Sequence, residues 1–92
     1  MEALTELQIT EKLESISGWS YKSDTIQKKF ELSDFKEALG FIVRVGLEAE
    51  LLGHHPNLAN VYNQVTISLQ THDVGNKVTE KDFELATRIE AI

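Results

Sequence analysis

The chain has 92 residues with no cysteine, 41% of them hydrophobic and 26% charged, which is enough for one domain spanning residues 1–92 with a modest core. The lack of cysteine excludes disulfides, thiolate zinc sites and thiol nucleophiles. A net charge of −6 opposes non-specific nucleic-acid binding, which needs a basic patch.

The first six residues, Met1-Glu2-Ala3-Leu4-Thr5-Glu6, are acidic and carry no apolar run of the signal-peptide kind. No stretch approaches the roughly 20 apolar residues of a membrane span. The expected location is therefore the cytoplasm, with no membrane partner.

The first predicted element is a helix. Thr5 and Gln8 have the spacing of a capping box, and Leu4 with Ile9 that of a hydrophobic staple. Ile9, Leu13 and Ile16 follow at helical spacing, and Gly18 is placed as the stop. Trp19 to Lys22 reads as a short strand, Ser23-Asp24 as a turn, and Thr25 to Leu32 as a second strand, together a hairpin. Ile26, Lys28, Phe30 and Leu32 share one face of that strand, and the lysine among them predicts a strand that is partly open or at an edge.

Ser33 is expected to cap a long helix over Asp34 to Leu52. Its apolar face is read as Phe35, Ala38, Leu39, Ile42, Val45, Ala49 and Leu52, with Gly40 and Gly46 taken to mark close packing against the sheet. Gly53 terminates it. Asn60 to Thr71 is the clearest strand region, with Val61, Val65, Ile67 and Leu69 on one face and polar residues on the other. Asn63 either interrupts one strand or divides two at a tight turn. His72 ends this region, and a loop from Asp73 to Lys77 follows. Thr79 and Asp82 open a third helix with Phe83, Ala86 and Ile89 as its apolar stripe. The fold class is α+β: a two-layer domain in the order α-β-β-α-β-β-α, with an antiparallel sheet of three to four strands and three helices on one face.

His54, His55 and His72 are the only histidines, and they cluster within nineteen positions. Imidazole titrates nearest neutral pH and is the usual proton carrier. Three uses compete. Metal binding lacks the H-x-H or H-E-x-x-H spacing, and adjacent histidines on extended chain point to opposite sides. Nucleophilic catalysis lacks a G-x-S-x-G elbow. General acid–base work needs only positioned imidazoles near an apolar pocket, and it fits best. The alternative for His54 and His55 is a helix C-terminal cap. A straight strand from Asn60 would carry His72 far from His54, so convergence requires a turn near Asn63 or a twisted crossing.

The segments Glu50-Leu51-Leu52-Gly53-His54-His55-Pro56-Asn57, Asn60-Val61-Tyr62-Asn63, Val65 to Leu69 and Thr71-His72-Asp73 occur in this order. Together with Gly18-Trp19, Phe30, Phe35, Ala38 to Phe41 and Val78 to Asp82, they closely resemble the pterin-4a-carbinolamine dehydratase family over nearly the whole chain. The resemblance implies dehydration of a 4a-hydroxytetrahydropterin to the quinonoid dihydropterin. The pterin is then the substrate, and no cofactor or metal is required. It implies His54 as the principal acid–base residue, His72 as its partner and His55 as an orienting group. Glu50, Pro56, Asp82 and Trp19 match positions that would bind or frame the pterin. For Glu50 the alternative is a solvated helix residue, for Asp82 a helix cap, and for Trp19 a core aromatic.

Family members form homodimers and homotetramers, and a small core agrees with such a partner. The loop from Val74 to Lys77 is longer than in animal members and borders His72. A second function class is a non-catalytic pterin-binding, assembly or transcription-cofactor module on the same fold. The three intact histidines favour the enzyme.

Overall fold

The computed structural model describes residues 1–92. Its elements are α1 (Glu6–Leu13), β1 (Ser20–Lys22), β2 (Thr25–Glu31), α2 (Phe35–Leu52), β3 (Asn57–Val61), β4 (Gln64–Leu69) and α3 (Glu80–Glu90), with a 3-10 turn at His72–Val74. The strands form one antiparallel sheet in the order β1-β2-β4-β3. No helix is long and apolar enough to cross a membrane.

Period-two alternation builds the two layers. Val65, Ile67 and Leu69 of β4 are fully buried, while the intervening Gln64, Thr66 and Ser68 are partly exposed. The buried set joins Ile26 of β2 and the inward faces of the helices: Ile9 of α1, Ala38, Phe41, Val45 and Ala49 of α2, and Phe83, Leu85, Ala86 and Ile89 of α3. The three helices thus cover one face, and the other face stays polar. Helix α1 starts as expected, with Thr5 and Gln8 closing a capping box at 2.8 and 3.1 Å.

Several local expectations are corrected. Helix α1 stops at Leu13, well before Gly18. Gly18 instead sits at φ +87° in the turn entering β1, where an added Cβ would meet the Lys28 side chain at 2.9 Å. Strand β2 is central rather than an edge. Lys28 is tolerated there because its long stem carries Nζ to the sheet margin, where it bonds Ser17 O at 2.8 Å and Glu90 Oε2 at 2.7 Å. Asp34, not Ser33, caps α2, accepting from Glu37 N at 2.8 Å with its charge at the positive end of the helix.

Phe35 and Leu39 face outward on α2, and Phe41 takes the inward place. Nothing lies within 4 Å of a Cβ added to Gly40 or Gly46, so neither marks close packing within this chain. Val61 is exposed because it pairs with Gln64 across a two-residue turn, and paired residues share a face. Leu85, absent from the expected α3 stripe, is fully buried.

Candidate active site

The turn at Tyr62-Asn63 settles how the histidines meet. Tyr62 adopts φ 52°, and β3 folds back on β4 with Asn57 opposite Ser68. Continued past Asn57, that register sets His55 level with Gln70 and His54 level with Thr71. The Asn63 amide donates to Leu32 O at 2.9 Å and anchors the hairpin to the end of β2. At the other end, Gly53 caps α2 in the left-handed conformation, φ 64°, and turns the chain out of the helix. Pro56 then leads into β3.

The result is a cleft of about 330 Å3 lined by Gly53, His54, His55, Pro56, His72 and Asp73. A second cleft of about 390 Å3 shares His55, Pro56 and His72 with it, and extends over the polar sheet face to Asn57, Ser68, Gln70 and Thr25. Apart from Pro56 and the imidazole rings, the side chains lining both clefts are polar, so this is a polar surface site rather than an apolar pocket.

Each imidazole has its own partner. His54 is buried and its Nε2 lies 2.5 Å from Asp82 Oδ1. Asp82 is fully buried and also accepts from Thr71 Oγ1 at 2.9 Å and Thr79 N at 2.9 Å. Because its carboxylate only accepts here, His54 carries its proton on Nε2. No side-chain nitrogen shut off from solvent lacks a partner, so the unpaired Nδ1 of His54 keeps some contact with solvent, and His54 is among the residues lining the cleft. His55 is exposed and its Nε2 meets Glu50 Oε1 at 2.8 Å. His72 is exposed and its Nδ1 meets Asn76 Oδ1 at 2.6 Å. No group of three or more His, Asp and Glu side chains is arranged to hold a metal ion.

The model of a family described as pterin 4 alpha carbinolamine dehydratase matches residues 2–92. The chain belongs to the pterin-4a-carbinolamine dehydratase family. A relative from Opitutus terrae that carries the dehydratase name is 48% identical, covering 97% of this chain and 92% of its own length. One from Christiangramia forsetii is 47% identical over 100% and 94%. A crystal structure from Brucella melitensis, described as a transcriptional coactivator/pterin dehydratase, has a TM-score of 0.92 at 38% identity and covers 98% of this chain and 97% of its own. A pterin dehydratase-like RuBisCO assembly factor of the alpha-carboxysome shares the fold, with a TM-score of 0.65 at 22% identity over 79% and 83%.

Within this dehydratase-family chain, His54, His55, His72 and Pro56 line the clefts. Glu50 and Asp82 stand behind the first two histidines. Trp19 lines neither cleft. It is a core aromatic, edge-on to Phe30 at 6.1 Å between ring centroids, and its Nε1 donates to Glu90 Oε2 at 3.0 Å. Residues not foreseen as part of the site are Thr71 and Thr79, which complete the Asp82 network, and Asn76, Gln70 and Ser68 around His72. The polar face of β4 carried a signal for Ser68 and Gln70. Thr71 and Thr79 stood only within the family-like segments, Thr79 also as a helix cap, with no signal that they meet at Asp82.

The loop after His72 is tied to the β1–β2 turn through Asp24. Lys77 Nζ lies 3.1 Å from Asp24 Oδ2 and Tyr21 Oη donates to Oδ1 at 3.1 Å. The bond from Lys77, then that from Tyr21, holds the Asp24 carboxyl below its usual range, and burial followed by the Asp24 contact raises the Tyr21 phenol.

Proposed function

We propose that this protein dehydrates a 4a-hydroxytetrahydropterin to the quinonoid dihydropterin by general acid–base catalysis. The observation that carries the reading is the buried Asp82–His54 pair at the wall of a cleft shared with His55 and His72; with Nε2 held by Asp82, Nδ1 is the nitrogen left to exchange a proton with the substrate. The chemistry needs two proton transfers. The C4a–O bond breaks with its electron pair on oxygen, and a donated proton lets that oxygen leave as water. A ring nitrogen loses its proton, and the N–H bonding pair becomes part of the new C=N bond.

His54 is the principal acid–base group in this reading. Asp82 fixes its tautomer and stabilises the imidazolium formed during turnover, the role a buried carboxylate plays toward histidine elsewhere. His72 is its partner across the cleft. His55, steadied by Glu50, orients the pterin, and the polar row Asn57, Ser68 and Gln70 offers hydrogen bonds to the ring's amide edge. The clefts fall in the size range of small-molecule sites.

The test is a rapid-mixing dehydration assay with chemically generated 4a-hydroxytetrahydropterin. The wild-type protein accelerates water loss, and His54→Ala lowers kcat by about 100-fold or more, the usual worth of a positioned acid–base group. No acceleration over buffer removes the enzymatic reading. Retained pterin binding in that case supports the non-catalytic module.

We also infer that copies of the chain associate through α2. Phe35, Leu39, Val43, Leu47 and Leu51 recur every fourth residue on its outer side, and all five are exposed.

A further inference from the structure

We propose that Asn76 is a positioning residue for His72: its amide oxygen holds Nδ1–H, fixes the ring in one tautomer and leaves Nε2 as the proton acceptor facing the cleft. The functional meaning rests on the dehydratase reading; the geometry does not.

Asn76 follows His72 by four residues, and its Oδ1 lies 2.6 Å from the His72 Nδ1. The backbone between them is a closed turn. Gly75 adopts φ 67° and its N–H bonds His72 O at 3.2 Å, while Thr71 N bonds Lys77 O at 2.8 Å across the base of the turn. Asn76 itself sits at φ 59°, a left-handed conformation that asparagine adopts more readily than most residues. Its carbonyl is held from outside the loop by Gln70 Nε2 at 3.2 Å, and the same amide reaches Asp24 O at 3.2 Å. The acceptor is therefore mounted on a fixed backbone, not carried on a free side chain.

The backing of His72 differs in kind from that of the other two imidazoles. His54 and His55 each give Nε2 to a carboxylate and leave Nδ1 free. His72 gives Nδ1 to a neutral amide and leaves Nε2 without a partner. An amide oxygen selects the tautomer and ring orientation without adding charge. Nε2 stands farther from the backbone than Nδ1, so this tautomer also extends the acceptor's reach over the cleft. The residue lies in the Val74 to Lys77 stretch, to which the resemblance assigns no role.

The test reads the tautomer directly. Long-range proton–nitrogen correlation spectra of the full 15N-labelled chain are recorded at a pH where the imidazoles are neutral, with His72→Gln identifying the His72 signals. Wild type shows His72 with its proton on Nδ1. Asn76→Gly keeps the left-handed backbone and removes the acceptor, so the proton moves toward Nε2, the site a free imidazole favours. Asn76→Asp keeps an acceptor oxygen and retains the Nδ1–H form. In the dehydration assay Asn76→Gly lowers kcat by about three- to tenfold, the equilibrium worth of one net hydrogen bond.

A wild-type His72 protonated on Nε2 or averaging between forms overturns the proposal, as does an Asn76→Gly spectrum identical to wild type. The wild-type spectrum decides even where a variant does not fold. A correct tautomer in a protein without dehydratase activity would instead remove the reading of the function.

Discussion

At the scale of single residues, the densest constraint in this molecule is the buried carboxylate of Asp82. Oδ1 takes His54, and Oδ2 takes the Thr71 hydroxyl and the Thr79 N–H. The directions of the remaining bonds follow. Thr71 spends its proton on Asp82, so the 2.7 Å contact between Thr71 and Thr79 runs from the Thr79 hydroxyl to Thr71. Thr79 then has a lone pair for Lys81 N at 3.2 Å. The chain of donors leaves no buried side-chain polar atom without a partner. Asp82 is thus both the capping-box residue of α3 and the partner of His54, so the helix-cap alternative holds without detaching the residue from the histidine cluster. Asp82→Ala strands three donors at once and should cost about 3–5 kcal/mol, as for one partner removed from a buried pair. Urea denaturation measures it. A loss below about 1 kcal/mol would mean that water replaces the carboxylate readily.

At the scale of elements, the readable features were those set by neighbours along the chain. The Thr5–Gln8 and Thr79–Asp82 boxes, the left-handed Gly53 and the Ser23-Asp24 turn, with φ 53° and 61°, depend on local backbone alone. Features that depend on a distant partner were hidden. Lys28 looked like an edge marker because its acceptors, Ser17 O and Glu90, belong to other elements. Val61 was assigned to the wrong face because a turn, not strand periodicity, governs it. His54, His55 and His72 were legible as a set through their surroundings. Their individual partners were not, since Asn76 becomes one only through the closed turn. The β1–β2 turn, which Lys77 ties to that loop, carries a pH signature. The carboxyl of Asp24 is held below its usual value of 3.8 by Lys77 and Tyr21. A group depressed in the folded state contributes stability above its unfolded value and loses it as pH falls through the folded one. Asp24→Asn keeps the left-handed turn, which asparagine tolerates. Its melting temperature should lie below wild type at neutral pH, and the gap should close below pH 3.8. A gap that persists in acid would assign the effect to the turn rather than the charge.

At the scale of the whole molecule, the feature without a partner is the outer side of α2. Its apolar stripe runs from Phe35 to Leu51, about 24 Å along the axis. The stripe is also symmetric about Val43. In an antiparallel pairing of two copies with Val43 on the two-fold axis, residues equally far from it face each other: Leu39 meets Leu47, Phe35 meets Leu51, Gly40 meets Gly46 and Lys36 meets Glu50. Each apolar residue finds an apolar mate, the one lysine finds a carboxylate, and the two glycines, open within one chain, fall together where helices approach most closely. A two-fold interface requires this self-complementarity. A small domain also gains stability by burying such a surface. Wild-type protein should therefore sediment as a multiple of its 10.4 kDa chain. Val43→Glu, at an exposed position away from the histidine cleft, sets two like charges against each other at the axis and should at least halve that mass while circular dichroism stays unchanged. A monomeric wild type would remove the association altogether, whereas a Val43→Glu protein of unaltered mass would place the contact elsewhere, with the exposed edge of β3 at Leu58 the next surface to test.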